Sequence, residues 1–151
     1  MVGAVDASRV GSVFTGTPPF EVTRRDVVAF ADAVGATSTV HRDVDAARAA
    51  GYADLVAPVT FAVVVAQEAE SEYIADPASG IDFSRVVHAD ESFAHRRPLV
   101  AGESVTTAVH VDAVTTRGPL TLVTTRTELA DAAGDGVATV VSTLAVRGAD
   151  A

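Results

Sequence analysis

Residues 58–73 read Pro-Val-Thr-Phe-Ala-Val-Val-Val-Ala-Gln-Glu-Ala-Glu-Ser-Glu-Tyr. Proline at the head suits the first turn of a helix, where its missing N–H costs nothing. In the first two turns Phe61, Val63, Val64, Val65 and Ala66 leave no polar face. A helix that is apolar all round is a buried one. Glu68, Glu70 and Glu72 then predict that the later turns emerge into water. The spacing predicts one long buried helix over 59–73, ended by the turn residues Asp76, Pro77, Ser79 and Gly80.

Upstream, Thr23 is placed to cap a helix over Arg24–Val34, with Asp26 at its third position. Val27, Val28, Phe30, Ala31 and Val34 form its apolar stripe, and Gly35 ends it. A shorter helix is expected over Val44–Ala50, closed by Gly51. Val13–Phe20, broken by Gly16, Pro18 and Pro19, reads as an edge strand or extended arm. Downstream lie four runs of period-two alternation: Asp82–Phe93, Glu103–Val114, Leu120–Leu129 and Val137–Val146. Val and Thr dominate them, as strands prefer. Turns fall at Arg117-Gly118-Pro119 and at Asp131–Gly136. The expected class is α+β, one curved antiparallel sheet wrapped around one long buried helix. One domain over 1–151 is expected, with 1–12 as an N-terminal arm.

The chain has 151 residues and a net charge of -9, from 20 acids against 11 bases. Nucleic-acid binding needs a surplus of bases, so that class is set aside. A polybasic membrane-surface role is set aside for the same reason. All the bases are arginine and there is no cysteine, so lysine Schiff bases, thiolate nucleophiles and cysteine metal sites are excluded. The longest apolar stretch, Leu55 to Ala66, is too short for a bilayer, which needs about 20 residues. Met1 to Ser12 carries no signal-peptide pattern. A cytoplasmic location is expected, with no membrane partner, no metal and no cofactor.

Without lysine or cysteine, histidines and carboxylates are left to move protons. His88 and His110 sit inside alternating strands and read as ordinary strand residues. His95, in His95-Arg96-Arg97-Pro98, reads as part of a solvated basic patch, with anion contact as the alternative. His41 ends the stretch Gly35-Ala36-Thr37-Ser38-Thr39-Val40-His41. By its residues alone it is either a loop histidine paired to Asp43 or a general base.

That stretch resembles the MaoC-like (R)-specific hydratases and dehydratases, a family with the hot-dog fold. Their motif is Gly-Asp-x-Asn-Pro-(Leu/Ile/Val)-His, whose Asp and His act on a 3-hydroxyacyl or enoyl thioester. Gly35, Val40 and His41 match. Ala36 stands at the Asp position, Ser38 at the Asn and Thr39 at the Pro. An alanine cannot move a proton. A second stretch, Gly51-Tyr52-Ala53-Asp54-Leu55-Val56-Ala57-Pro58-Val59-Thr60-Phe61, has Pro58-Val59 where catalytic members have His-Gly. Ala-Pro-Val-Thr-Phe is similar to the actinobacterial (3R)-hydroxyacyl-ACP dehydratase subunits of A and C type, of the FAS1-like dehydratase, MaoC N-terminal kind. Those subunits pair with a catalytic B-type subunit and shape the acyl channel. Arg97-Pro98-Leu99-Val100-Ala101-Gly102-Glu103 resembles the lead-in to a hot-dog strand. The likeness runs from Val13 to Arg147.

The resemblance implies His41 as base, with Ser38 as a weak stand-in for the lost acid. It implies that the backbone amides of Val59 and Thr60 bind the thioester oxygen, as donors at a helix N-terminus do. Arg96 and Arg97 would form a rim for the phosphates of CoA or phosphopantetheine. The implied partners are an acyl-CoA or acyl-ACP thioester and a second hot-dog chain, in a homodimer or in a heterodimer with a catalytic MaoC-like subunit. Three readings of function follow. The chain is a dehydratase subunit of fatty-acid metabolism with reduced or no catalysis of its own, a self-sufficient enoyl-CoA hydratase using His41, or a non-catalytic acyl-binding scaffold. The first is preferred, because Ala36 leaves the motif incomplete.

Overall fold

The computed structural model describes residues 4–149. Its order is two short edge strands, β1 (Val13–Phe14) and β2 (Phe20–Glu21), then helices α1 (Arg24–Val34), α2 (Val44–Ala49) and α3 (Ala62–Ile74). Four long strands follow: β3 (Val86–His95), β4 (Ser104–Arg117), β5 (Leu120–Ala130) and β6 (Gly136–Arg147). The sheet order is β1-β4-β5-β6-β3, with β2 also on β4, and every pairing is antiparallel. Register shifts at His88/Asp90, Val111/Ala113 and Leu129/Ala130 mark bulges. Bulges bend strands and raise their twist, which lets the sheet curl around α3. The expected α+β hot-dog architecture is the observed one.

Local chemistry explains the boundaries. Thr23 accepts from the Asp26 N–H and Gly35 ends α1 in the left-handed region at φ 68°. A non-glycine residue there would be strained. The edge strand or extended arm expected over Val13–Phe20 is two short edge pairings, because Gly16, Pro18 and Pro19 interrupt the ladder. β3 begins at Val86 rather than Asp82, because the Asp82 carboxylate accepts from the Ser84 N–H and sets a tight helical turn over Phe83–Arg85. The central helix opens as one 3-10 turn, Val59–Phe61, before α3.

Phe61 anchors the larger core. Its ring meets Phe30 edge-on at 5.5 Å and Phe20 at 6.1 Å. Val65, Ala66, Leu99, Val105, Leu129 and Val140 pack beside it. A second cluster joins Tyr73, Val111, Val123 and Leu144. The later turns of α3 do not emerge as a whole: Glu68 and Glu72 are exposed, but Ala69, Glu70 and Tyr73 are buried. Glu70 tolerates this because the Thr125 hydroxyl donates to one carboxylate oxygen at 2.7 Å. Of the arm expected over 1–12, residues 1–3 lie outside the described residues. The rest is tied down: Asp6 N–H reaches Ser79 O, Arg9 pairs with Asp76 at 2.5 Å, and Gly11 N–H reaches Val111 O. Among the described residues no helix is long and apolar enough to cross a membrane.

Candidate functional site

The segment that delivers the chain into the central helix, Asp54 to Pro58, is pegged from both sides. Arg24 grips the Asp54 carboxylate with two hydrogen bonds of 2.9 and 2.7 Å. That guanidinium, with the Leu55 N–H, holds the Asp54 carboxyl down at about 2. Val56 N–H donates to Val40 O, Ala57 N–H to Leu99 O, and Ala101 N–H to Leu55 O, each at 2.9 Å. Backbone fixed this way can position groups to fractions of an ångström, as a reacting site requires.

Beside this segment opens a cavity of about 690 Å³. Its lining includes Ala36, His41, Val59, Thr60, His95, Arg96 and Arg97. Five of the six residues expected from the sequence therefore meet at one place. Ser38, the sixth, is exposed on the adjoining loop and is not part of the lining.

Both histidines of the cavity hang from backbone carbonyls, of Val56 and of Val59. His41 Nδ1 lies 2.6 Å from Val56 O. A carbonyl only accepts, so Nδ1 carries the proton and Nε2 keeps its lone pair. His95 is bound in the opposite sense: its Nε2 lies 2.8 Å from Val59 O, so Nε2 donates. Its Nδ1 is buried and has no hydrogen-bond partner. Sequence reasoning placed His95 in a basic surface patch. The overlooked signal was the period of β3, in which Glu91, Phe93 and His95 turn the same way and Phe93 packs on the core.

At the head of the helix Phe61 N–H is the first amide to bond backward, to Pro58 O at 2.9 Å. The Val59 and Thr60 amides belong to the first turn, which helix geometry leaves unpaired. They stand at the positive end of the helix dipole and suit a polarised carbonyl oxygen.

The two rim arginines differ. Arg97 is taken up by Glu103 at 2.6 Å and Asp131 at 3.2 Å. Arg96 has no ion-pair partner among the described residues and is free to meet an anion. Ala36 lines the cavity with a methyl group, while the Arg42 guanidinium binds its carbonyl at 2.6 Å and pairs with Asp32. No carboxylate lines the cavity. No group of three or more His, Asp or Glu able to hold a metal occurs among the described residues.

A second cavity, about 490 Å³, lies beside the far half of α3 and is lined by Gln67, Glu70, Ser71, Ile74, Phe83 and His88, among others. Behind it Glu91, whose carboxyl is pushed up by burial, accepts from the Ser142 hydroxyl at 2.8 Å.

Against known proteins, the family model described as the FAS1-like dehydratase domain region matches residues 8–140. The chain is 43% identical over 144 residues to a UPF0336 protein of Saccharopolyspora erythraea, covering 95% of this chain and 92% of that one. Among solved structures, a MaoC-like dehydratase superposes with a TM-score of 0.86 at 28% identity, over 95% of this chain. The match covers 43% of that larger chain, so the present chain spans less than half of it. The C-terminally truncated HadBC (3R-hydroxyacyl-ACP dehydratase) complex from Mycobacterium tuberculosis superposes with a TM-score of 0.81 at 26% identity, over 91% of this chain and 96% of that one.

Proposed function

Because the chain belongs to the FAS1-like dehydratase domain family, we propose that it is one subunit of a cytoplasmic (3R)-hydroxyacyl-thioester dehydratase of fatty-acid metabolism. Its substrate is an acyl-CoA or acyl-ACP, and it works beside a second hot-dog chain that carries the complete acid–base pair. The observation that carries this reading is the composition of the cavity. Its lining has a histidine with a free Nε2 and unpaired helix-head amides, but no carboxylate. Elimination of water needs a base at C2, an acid at the 3-hydroxyl and donors on the thioester oxygen. The first and third are at hand, and the carboxylate that would serve as the second is replaced by Ala36.

A place for the partner is available. β3 is the last strand of the sheet, ten residues long, with its outer edge unpaired among the described residues. Val87 on it is 64% exposed. An open edge of this length invites a strand from another chain. The relative seen as the HadBC complex is itself a two-chain assembly by its name.

Hydration of crotonyl-CoA tests the reading, run with the chain alone and with a co-expressed subunit bearing an intact Gly-Asp-x-Asn-Pro-x-His motif. One acid–base group contributes about 10²–10⁴-fold. The complex is therefore expected to exceed the lone chain by at least about 10²-fold. Equal turnover by the lone chain, abolished in His41→Ala, would sink the partner-dependent reading in favour of a self-sufficient hydratase. No turnover in either form would leave a scaffold.

A further inference from the structure

We propose that this cavity catalyses a one-base proton shift, the isomerisation of 3-enoyl thioesters to 2-enoyl thioesters, with His41 as the base. The inference goes beyond the reading above and rests on it for one point, that the ligand is an acyl thioester.

Three observations lead here. First, the lining offers a ligand one basic atom. Its polar side chains are His41, Thr60, His95, Arg96 and Arg97. The guanidinium groups cannot be deprotonated and the threonine hydroxyl does not titrate. His95 is used up: its Nε2 donates to Val59 O at 2.8 Å and its Nδ1 is buried. His41 is half-buried and its Nδ1 donates to Val56 O at 2.6 Å. Its Nε2 is neither hydrogen-bonded nor buried among the described residues, so its lone pair is reachable. Second, donors for a carbonyl oxygen stand in the same lining, the amides of Val59 and Thr60, in the turn that follows Val56. Third, the lining holds no carboxylate. One base and a set of oxygen donors without an acid cannot expel a hydroxyl group, but they are all that a proton shift between two carbons needs.

A 3-enoyl thioester suits this set. Its C2–H lies between the carbonyl and the C3=C4 bond, so losing the proton gives a dienolate with its charge spread over both. That eases the task of a weak base such as imidazole, and amide donors at the thioester oxygen stabilise the charge as it develops. His41 Nε2 takes the proton from C2. The C2–H electron pair becomes the C1=C2 bond and the carbonyl pair moves onto oxygen. The oxygen pair then returns, the C1=C2 pair becomes the C2=C3 bond, and the C3=C4 pair takes the proton from His41 Nε2 at C4. The product is the conjugated 2-enoyl thioester, and His41 ends neutral, as it began. C2 and C4 both neighbour C3, so one nitrogen serves both ends of the shift. Nothing else is consumed.

The test uses the full chain with 3-hexenoyl-CoA as the probe, read by the ultraviolet absorbance of the conjugated product. Crotonyl-CoA hydration is run beside it, by the lone chain and by its complex with the motif-bearing partner. The lone chain is expected to isomerise 3-hexenoyl-CoA and to hydrate crotonyl-CoA at least about 10²-fold more slowly, the share of one missing acid. His41→Gln, whose side-chain amide can still donate to Val56 O, is expected to lower the isomerisation kcat by about 10²–10⁴-fold, with urea melts confirming that it folds. His110→Gln, on β4 outside the lining, leaves the rate unchanged. Isomerisation at the wild-type rate by folded His41→Gln overturns the inference. A lone chain that hydrates as fast as it isomerises has an acid after all and overturns it too. A lone chain that does not isomerise overturns it as well, and hydration by the complex then leaves the dehydratase reading standing. Isomerisation by the chain without hydration by the complex upholds the inference and sinks the dehydratase reading. Inactivity in every assay overturns both.

Discussion

At the head of the central helix Val59 is 68% exposed, and two histidines hang from the carbonyls of Val56 and Val59. One long helix further on, Glu70 and Tyr73 are fully buried against the same sheet. Both ends hold polar atoms without partners: His95 Nδ1 at the head, and Glu70 Oε2 and Tyr73 OH at the far end. The difference lies in what fixes them. At the head, the carbonyls of Val56 and Val59 accept from ring N–H groups, so each ring is held in one orientation. At the far end, the Thr125 hydroxyl donates to one oxygen of the buried Glu70 side chain and so helps it to be buried. The first arrangement suits proton transfer, and the second suits burial.

The largest expected effect comes from removing what holds the head of the helix in place. Phe61 is 1% exposed and braces α1 through Phe30 and the β2 strand through Phe20. Phe61→Ala is expected to cost about 3–5 kcal/mol, read as a fall in the urea midpoint. If the head is a separately braced site, turnover falls as well under conditions where the variant is still folded. A loss of stability with unchanged kcat would break the link between this packing and the orientation of the two rings.

That link was only partly legible in the sequence. Pro58 and the run Phe61–Ala66 announced a buried helix, and the alternation of 103–114 announced a strand, because each pattern repeats locally. Gly35 and Thr23 marked the ends of α1 by conformational demands that single residues reveal. Glu70 reads as solvent-facing in the sequence, since its hydrogen-bond donor, Thr125, lies 55 residues away on β5. The candidate site was half visible. His41 and the 59–60 amides stand in stretches similar to family motifs, so their place near one another was expected. His95 reads locally as one more basic residue before Arg96 and Arg97, and only the fold brings it back across 36 residues to Val59 O. Which arginine is free was equally hidden, because Arg96 and Arg97 are adjacent and only the fold turns Arg97 toward both Glu103 and Asp131.

Of intermediate size is the effect of stripping the far end of its donor. Thr125→Val leaves the buried Glu70 carboxylate without its hydrogen bond, a loss of about 1–3 kcal/mol. Adding Glu70→Leu to it is expected to recover most of that loss, since removing both partners of a buried pair is close to neutral. Both variants should keep crotonyl-CoA turnover at the wild-type level once folded. A fall in kcat for Thr125→Val at full folding would show that the two ends communicate, and the contrast between them would need to be redrawn.

The smallest effect belongs to Asp54, at the edge of the head. Its carboxyl sits at about 2 in the folded chain because Arg24 and the Leu55 N–H bind the ionised form. In the unfolded chain an aspartate titrates near 4, so folding favours the deprotonated state. The resulting stability is fully present above about pH 4 and is lost as the pH falls through about 2. Arg24 is 58% exposed, and water screens such a pair, so the contribution is small. Asp54→Asn should therefore melt slightly below wild type at neutral pH, and the two curves should converge toward pH 2. A gap that persists in acid would mean that the substitution disturbs the segment by something other than charge, because asparagine keeps an acceptor for Leu55 N–H at every pH.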